Sequence, residues 1–176
     1  MHFAKNLSLL DRAWYDDKRR GGADLVYIVA LIVITLDQWI KWLVNTHLTV
    51  GTGYTIWEGI LQILYVRNTG AAFSLLLNDQ IFLIVVAAVV ALVIVIVDRK
   101  FAKGQRGLQI TLGLLLGGAL GNLIDRVWHG YVIDYMYLTF IRFPVFNLAD
   151  SSIVIALFIL VLRSWRKKQN VSSPGE

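Results

Sequence analysis

Four stretches of apolar residues alternate with polar segments along the chain. They span Leu25–Val44, Ile81–Val97, Leu108–Ile124 and a shorter region that begins near Asp150 and ends at Leu162. Apolar runs of roughly 17–25 residues cross a bilayer as helices. The fourth run is short, so part of the segment 143–150 is expected to extend its start. The pattern therefore predicts four transmembrane helices.

The segment between the first two apolar stretches predicts a different kind of structure. Thr46–Val66 is rich in β-branched and aromatic residues interrupted by glycines, which favours a small sheet. Arg67–Gly70 has the composition of a turn. The apolar run Ala71–Leu77 that follows is expected to lie along the membrane interface.

Composition supports a membrane protein. Of the 176 residues, 57% are hydrophobic and 16% are charged, and the mean hydropathy is +0.62. These values lie outside the range of soluble globular proteins, and the length fits one domain. Cysteine is absent, which excludes disulfides and a thiol nucleophile. The polar first 24 residues contain no apolar core, so the apolar stretches themselves are expected to direct insertion.

Basic residues predict how the helices are oriented. Five lysines and arginines precede the first apolar stretch, four lie in the loop 98–107 and four follow the last stretch, together 13 of the 17 in the chain. Positive charge concentrates on the cytoplasmic side of membrane proteins. Both termini and this loop are therefore predicted to be cytoplasmic, and the loops 45–80 and 125–149 to face outward.

The same distribution divides the chain into three parts. Residues 1–24 end in a basic run and a Gly21-Gly22 pair expected to break any helix, and they are predicted to form a cytoplasmic tail. Residues 25–165 are predicted to form the four-helix membrane domain, and residues 166–176 a second cytoplasmic tail. The basic cluster Arg163–Lys168 favours contact with anionic lipid over nucleic acid.

The densest polar chemistry lies between the third and fourth apolar stretches. The third stretch carries glycines at every fourth residue, which permits close helix packing. A polar group at i, i+3 and i+4 spacing then continues the same helix and shares one face of it. The polar residues of this region are Asn122, Asp125, Arg126, Asp134, Arg142, Asn147 and Asp150.

Two of these aspartates are candidates for acid–base chemistry. Carboxylates brought close together share one proton, so that one activates water while the other hydrogen-bonds the attacked carbonyl. Spacing leaves two pairs open, Asp125 with Asp150 or Asp134 with Asp150. Structural alternatives are an ion pair between Asp125 and Arg126 and a helix N-cap at Asp150.

Other functions find less support in the residues. Ser151, Ser152 and His129 would supply a Ser-His-Asp set, but no G-x-S-x-G sequence is present. The three histidines lack metal-ligand spacing, and neither a metal nor a cofactor is predicted. A transporter with a proton relay would need charges near the bilayer centre, whereas these charges collect at one face. A non-catalytic lipid-binding or assembly protein is the remaining alternative.

Motifs within residues 25–162 resemble those of the bacterial lipoprotein signal peptidases (signal peptidase II). Five such motifs in the same order on four apolar stretches are highly specific. The sequence departs from the family at Ile133 and Tyr135, where valine and phenylalanine are commoner, and both changes are conservative. The motifs are Leu36-Asp37-Gln38 with Lys41, Arg67–Ser74, Gly117–Arg126, Val132–Tyr135 and Phe146–Ser151.

The resemblance implies an all-α membrane protein in which four transmembrane helices carry a small extracytoplasmic β-cradle in loop 45–80 and an interfacial helix. It implies an intramembrane aspartyl endopeptidase, residues 25–165, in the bacterial cytoplasmic membrane with its active site at the outer face. Such an enzyme removes the signal peptide from diacylglyceryl-modified prolipoproteins, cleaving before the lipidated cysteine. The implied partners are these substrates, membrane lipids and globomycin-type inhibitors; a monomer that binds no nucleic acid is expected.

The resemblance also implies roles for individual residues. The catalytic aspartates fall on Asp134 and Asp150, which leaves Asp125 as a structural partner of Arg126. The supporting polar residues fall on Asp37, Asn68, Asn122, Arg126 and Asn147.

Overall fold

The computed structural model describes the backbone of residues 9–70 and 80–172, and the side chains of residues 25–70 and 80–166. Within this part of the chain, the third helix packs against each of the other three, and a small sheet contacts the first and third helices. The helices are α1 (Leu9–His47), α2 (Gln80–Val97), α3 (Arg106–His129) and α4 (Leu148–Ser172), and the strands are β1 (Gly53–Trp57), β2 (Leu61–Asn68) and β3 (Val132–Leu138).

Each helix contains a segment that is long and apolar enough to cross a membrane. These segments are Leu25–His47, Gln80–Ala102, Arg106–His129 and Leu148–Arg166. The second includes a π-helical turn, residues 98–102, that continues α2. The prediction of four membrane-spanning helices with a small sheet is thus confirmed. The fourth helix begins at Leu148, so only the last three residues of the segment 143–150 join it.

The first helix is longer than the sequence predicted. α1 is continuous from Leu9 to His47, so the expected break at Gly21-Gly22 is absent. Glycine in a helix interior costs only about 1 kcal/mol relative to alanine. A helix of 39 residues tolerates two such penalties without ending.

The glycines of α3 place it at the centre of the helix packing. A Cβ on Gly113 would lie 2.8 Å from the carbonyl oxygen of Val26, and one on Gly117 would lie 2.9 Å from that of Ala30. On another face, a Cβ on Gly118 would lie 2.5 Å from the carbonyl oxygen of Ala149. Backbones of α1 and α4 therefore press directly against α3, as small residues at this spacing allow.

The three strands form one antiparallel sheet in the order β1-β2-β3. β1 and β2 confirm the sheet predicted for loop 45–80, whereas β3 was not predicted. Its sequence, VIDYMYL, has the β-branched and aromatic composition of a strand, but its seven residues stand in a segment interpreted as a loop. The predicted interfacial helix over 71–77 lies outside the described residues.

One face of the sheet packs on the end of α1. Tyr65 of β2, with Ile133 and Tyr135 of β3, forms a buried cluster around Val44 of α1. The Tyr65 hydroxyl donates to Asn45 Oδ1 at 2.6 Å, which ties the sheet to the same helix end. Because side chains alternate along a strand, the side chain of Asp134, between Ile133 and Tyr135, points to the opposite face of the sheet.

The close contact at Gly117 generates a prediction with a matched control. In Gly117→Ala the new Cβ meets the backbone and side chain of α1, so we expect stability to fall by about 1–3 kcal/mol. In Gly107→Ala the new Cβ meets only the end of the Arg163 side chain, at 2.9 Å. That variant should be neutral or up to about 1 kcal/mol more stable, as helical alanine is. Thermal unfolding of both variants in micelles measures the difference; equal stabilities would contradict the packing.

Candidate active site

The start of α4 brings polar groups from three other elements together. Asn147 precedes the helix and caps it, since its Oδ1 accepts the Asp150 N–H at 2.8 Å. The Ala149 N–H is bound by Asp37 Oδ1 at 3.0 Å, and the Leu148 N–H by the Tyr135 hydroxyl at 3.2 Å. The first three amides of the helix, which have no intrahelical acceptors, thus all have side-chain acceptors. The N-cap considered for Asp150 is therefore made by Asn147.

Asp134 lies on β3 and is almost fully buried, with 1% of its surface exposed. Its Oδ2 accepts a hydrogen bond from Asn68 Nδ2 at 2.9 Å, and its Oδ1 accepts one from Asn147 Nδ2 at 2.7 Å. Strand pairing places Asn68 opposite Val132, diagonal to Asp134 on the same face of the sheet. The β2–β3 register therefore determines the contact between Asn68 and Asp134.

The hydrogen bond from Asn147 to Asp134 depends on the segment before α4. Phe146 pairs with Met136 at the free edge of β3, through backbone hydrogen bonds of 2.7 and 3.0 Å. This pairing holds the chain against the strand one residue before the cap. Asn147 therefore reaches Asp134 with its side chain while it starts the helix that carries Asp150.

Asn147 links the two aspartates predicted to be catalytic. Its side-chain amide donates to Asp134 Oδ1, and its backbone N–H donates to Asp150 Oδ2 at 3.2 Å. Asn122 of α3 completes the arrangement, because its Nδ2 donates to Asp150 Oδ1 at 2.7 Å. Two carboxylates from different elements thus lie in one hydrogen-bonded group.

A second charged cluster lies directly behind this group. Lys41 Nζ is 2.7 Å from Asp37 Oδ2 and 2.9 Å from Asp125 Oδ2. Asp125 also accepts the Ile133 N–H at 3.0 Å and the Gln38 amide at 2.8 Å. These charges are buried within the protein, where ion pairing and hydrogen bonds must replace water.

The expected ion pair between Asp125 and Arg126 is not formed among the described side chains. Asp125 turns towards α1 and pairs with Lys41 instead. Helical i and i+1 positions do not face each other, which explains the separation. Arg126 turns towards a cavity that Asp150 also lines, and its Nη1 donates to the Asn122 carbonyl oxygen at 3.3 Å.

A cavity of about 510 Å³ opens beside Asp150. Ligand pockets commonly have volumes of about 300–1,000 Å³ and mainly apolar walls with a few polar groups. This cavity fits that description, with its polar groups at one side. It is lined by Asn68, Gly70, Arg126, Phe143, Pro144, Val145, Phe146, Asp150, Ser151, Ile153, Val154 and Ile155.

The environment of Asp134 favours its protonated form. Burial, followed by the neighbouring charge of Asp150, raises the pKa of Asp134 from 3.8 to about 7. The hydrogen bonds from Asn68 and Asn147 and the charge of Lys41 act in the opposite direction but do not cancel the effect. A buried carboxyl beside a second carboxyl is the arrangement in which two groups titrate as a pair.

The structure brings together all the residues singled out by the resemblance: Asp37, Asn68, Asn122, Asp125, Arg126, Asp134, Asn147 and Asp150. The sequence analysis gave no role to Gln38, Tyr135 or Lys41, although all three stand in motifs that carry the resemblance. A charged residue within an apolar stretch was the available signal for Lys41.

Comparisons with known proteins agree on one family. A family model described as signal peptidase (SPase) II matches residues 29–166. The chain is 44% identical to the lipoprotein signal peptidase of Halothermothrix orenii over 145 residues, which cover 82% of this chain and 98% of that one. It is 39% identical to the lipoprotein signal peptidase of Halalkalibacterium halodurans over 147 residues, covering 82% and 94% respectively.

Two solved structures share the fold. A bacterial membrane enzyme determined by the in meso method at 2.3 Å aligns with a TM-score of 0.80 and 30% identity, covering 82% of this chain and 90% of that one. Another, described in the same words at 1.9 Å, aligns with a TM-score of 0.74 and 31% identity, covering 78% and 90%. The helices and sheet described above are therefore those of a known membrane enzyme fold.

The raised pKa of Asp134 predicts a pH-dependent stability. Because the folded-state pKa exceeds the ordinary value, the carboxyl's contribution to stability is complete below about pH 4 and is lost as the pH rises through about 7. In Asp134→Asn the side chain does not titrate, so this decrease in stability with rising pH does not occur. Its stability relative to the wild type should therefore increase by roughly 2–3 kcal/mol between about pH 5 and about pH 8.

Thermal unfolding in micelles at the two pH values measures this difference. Ser151→Ala, which removes a group that does not titrate in this range, serves as the control and should show no such change. A relative stability of Asp134→Asn that stays constant across the range would show that Asp134 is ionised throughout.

Proposed function

The chain belongs to the signal peptidase II family, and from this premise we propose that it is an aspartyl endopeptidase that acts within the membrane. Its substrates are prolipoproteins that carry a diacylglyceryl group, and it cleaves the signal peptide before the lipidated cysteine. The observation that supports this most is the contact of Asn147 with both Asp134 and Asp150 beside the cavity. Asp150 is the only carboxylate among the described residues that lines that cavity, and Asp134 is linked to it through Asn147.

The chemistry follows from the different surroundings of the two carboxylates. Asp134 holds the shared proton near neutral pH, because burial raises its pKa to about 7. Asp150 lines the cavity at the start of a helix, a position that suits an anion, and it takes a proton from water. The water oxygen attacks the scissile carbonyl while Asp134 donates its proton to the carbonyl oxygen. When the intermediate collapses, the proton on Asp150 moves to the leaving nitrogen and Asp134 recovers its own.

Two further residues are suited to hold the peptide. Asn68 and Arg126 line the cavity together with Asp150. The Nε of Arg126 is buried and has no hydrogen-bond partner in the described part of the chain. Because an unpaired buried donor is unfavourable, a substrate carbonyl is its natural acceptor. In this role Arg126 also stabilises negative charge on the attacked carbonyl oxygen.

The apolar side of the cavity supports a lipid-modified substrate. Val154 and Ile155 on α4 line the cavity and are also more than half exposed at the surface of a membrane-spanning helix. A peptide can therefore bind in the cavity while acyl chains attached to it remain in the hydrocarbon. The same apolar walls are suited to globomycin-type inhibitors.

The location of the site follows from the charge distribution. Asp37 and Asn122 lie near the C-terminal ends of α1 and α3, and Asp150 lies at the start of α4, so all belong to one end of the helices. Basic residues concentrate at the opposite end. The positive-inside rule then places both termini in the cytoplasm and the site at the outer face of the bacterial cytoplasmic membrane. Residues 25–165 act as the peptidase domain, as a monomer surrounded by lipid.

Substitution of each aspartate tests the reaction. We expect Asp134→Asn and Asp150→Asn each to lower cleavage of a diacylglyceryl prolipoprotein by at least about 10⁴-fold, because each removes a group that transfers a proton. Ser151→Ala is the matched control in the same cavity. Its hydroxyl donates to the Asn147 carbonyl oxygen at 2.9 Å rather than to a base, so cleavage should persist. Folded aspartate variants that cleave normally would remove those residues from the mechanism.

A second prediction concerns pH. Since the proposed reaction needs the proton on Asp134, kcat/KM should decline as the pH rises above about 7. The hydrogen bond from Asn68 lowers the pKa of Asp134, so Asn68→Ala should move this decline to higher pH. Rate measurements on wild type and variant across the range test the sign. A shift to lower pH would contradict the assignment of the proton.

A further inference from the structure

Lys41 is a buried charge to which the proposed mechanism gives no role. We infer that it is a positioning residue, whose ammonium sets the direction of the Asn122 amide and thereby the hydrogen bonds to both catalytic carboxylates. This inference rests on the proposed function, since it assigns a further residue to the same reaction.

The contacts of Lys41 use its full hydrogen-bonding capacity. An ammonium has three N–H donors and no acceptor. Its three neighbours are Asp37 Oδ2 at 2.7 Å, Asp125 Oδ2 at 2.9 Å and Asn122 Oδ1 at 3.1 Å. Only 1% of the Lys41 surface is exposed, so no water competes for these positions. Lys41 thus directs one of its donors at an uncharged amide oxygen as well as two at carboxylates.

The direction of the Asn122 amide matters because its two ends have opposite chemistry. Its Oδ1 accepts from Lys41 and from Asn147 Nδ2, the latter at 3.1 Å, and its Nδ2 donates to Asp150 Oδ1 at 2.7 Å. A rotation by half a turn would place the NH₂ group against the ammonium and the oxygen against the Asp150 carboxylate. Both contacts would be repulsive, so Lys41 and Asp150 together permit one direction.

The same constraint passes to the second amide. Asn147 Nδ2 donates to Asn122 Oδ1 and to Asp134 Oδ1, while Asn147 Oδ1 accepts the Asp150 N–H. Each asparagine therefore presents its NH₂ group to one catalytic carboxylate. Removing Lys41 frees one acceptor position of Asn122 and takes away the charge that opposes rotation. Lys41 acts on Asp134 and Asp150 through these amides and does not line the cavity.

A structural role alone would make Lys41 only a counter-ion for Asp37 and Asp125. Paired substitutions separate the two roles. Lys41→Met combined with Asp125→Asn keeps the formal charge of the three residues at −1, because one positive and one negative group are lost together. Lys41→Gln combined with Asp125→Asn has the same charge and nearly the same size but retains an N–H donor. Asp125→Asn alone, in which the charge of the three residues is zero, is the reference for both, and the comparison at constant charge is between the methionine and glutamine forms.

The experiment measures kcat, KM and the pH profile of cleavage of a synthetic diacylglyceryl prolipoprotein peptide, with thermal unfolding to verify the fold. The methionine form, Lys41→Met with Asp125→Asn, should have a kcat roughly 100-fold lower than that of Asp125→Asn alone, because a small misplacement of reacting groups has effects of that size. Its KM should stay within about threefold of that of Asp125→Asn. The glutamine form, Lys41→Gln with Asp125→Asn, should have a kcat about tenfold higher than that of the methionine form. The decline of kcat/KM at high pH should move upwards in the methionine form, because the Lys41 charge and the ordered amides lower the pKa of Asp134.

Gln38→Met controls for general disturbance of the cluster. Gln38 donates to Asp125 Oδ1, to the Gly121 carbonyl oxygen and, at 3.4 Å, to Asp37 Oδ2, but it forms no hydrogen bond with Asn122 among the described residues. Its kcat should stay within about threefold of the wild type, since the Lys41–Asn122–Asp150 contacts are intact.

Equal kcat and equal pH profiles for the methionine, glutamine and reference forms would overturn the inference and leave the proposed function standing. If the methionine form does not fold, the glutamine form decides: a kcat about tenfold below that of Asp125→Asn with KM within about threefold supports the inference, and a kcat equal to that of Asp125→Asn or lost to background overturns it. If the wild type itself fails to cleave the peptide, the proposed function is wrong and the inference falls with it.

Discussion

The hydrogen bonds of Asn147 are the contacts on which the site depends. One residue donates through its side chain to Asp134 and through its backbone to Asp150, although these aspartates belong to a strand and to a helix. Neither carboxylate can move without breaking a hydrogen bond to Asn147, the residue that caps α4. Because Asp134 and Asn147 are buried, a lost hydrogen bond between them would leave a polar group unpaired, which costs far more here than in water. The relative position of the two aspartates is thus held by the helix cap itself.

Close packing of α3 makes this arrangement possible. Gly118 lets the backbone at Ala149 approach, and a Cβ on Gly121 would lie 2.7 Å from Asp37 Oδ2. Asp37 is therefore near enough to bind the start of α4 while it pairs with Lys41. The glycines, which the sequence suggested only as packing residues, also admit a charged cluster between three helices. Packing and chemistry in this membrane protein consequently use the same few positions.

Much of the fold was predictable because the apolar composition of each membrane span reflects the hydrocarbon that surrounds it. A helix in hydrocarbon must be apolar over its whole length, and the four spans were found from composition alone. Strand β3 was missed, since seven residues between two spans carry little periodic signal. Spacing could not choose between Asp125 and Asp134; that choice came from motif resemblance. The direction of Asp125 towards Lys41, and the contact of Lys41 with Asn122, 81 residues away, depend on tertiary packing that no local pattern encodes.

We propose that Asp134 carries a proton below about pH 7 and that Asp134 and Asp150 use this proton together in the reaction. Infrared difference spectroscopy of wild type and Asp134→Asn, in ordinary and heavy water, measures that proton directly through the carbonyl stretch of a protonated carboxyl. We expect one such band that is absent from Asp134→Asn and disappears from the wild type as the pH rises through about 7. Spectra in which the two proteins show the same protonated carboxyl signal at neutral pH would contradict it.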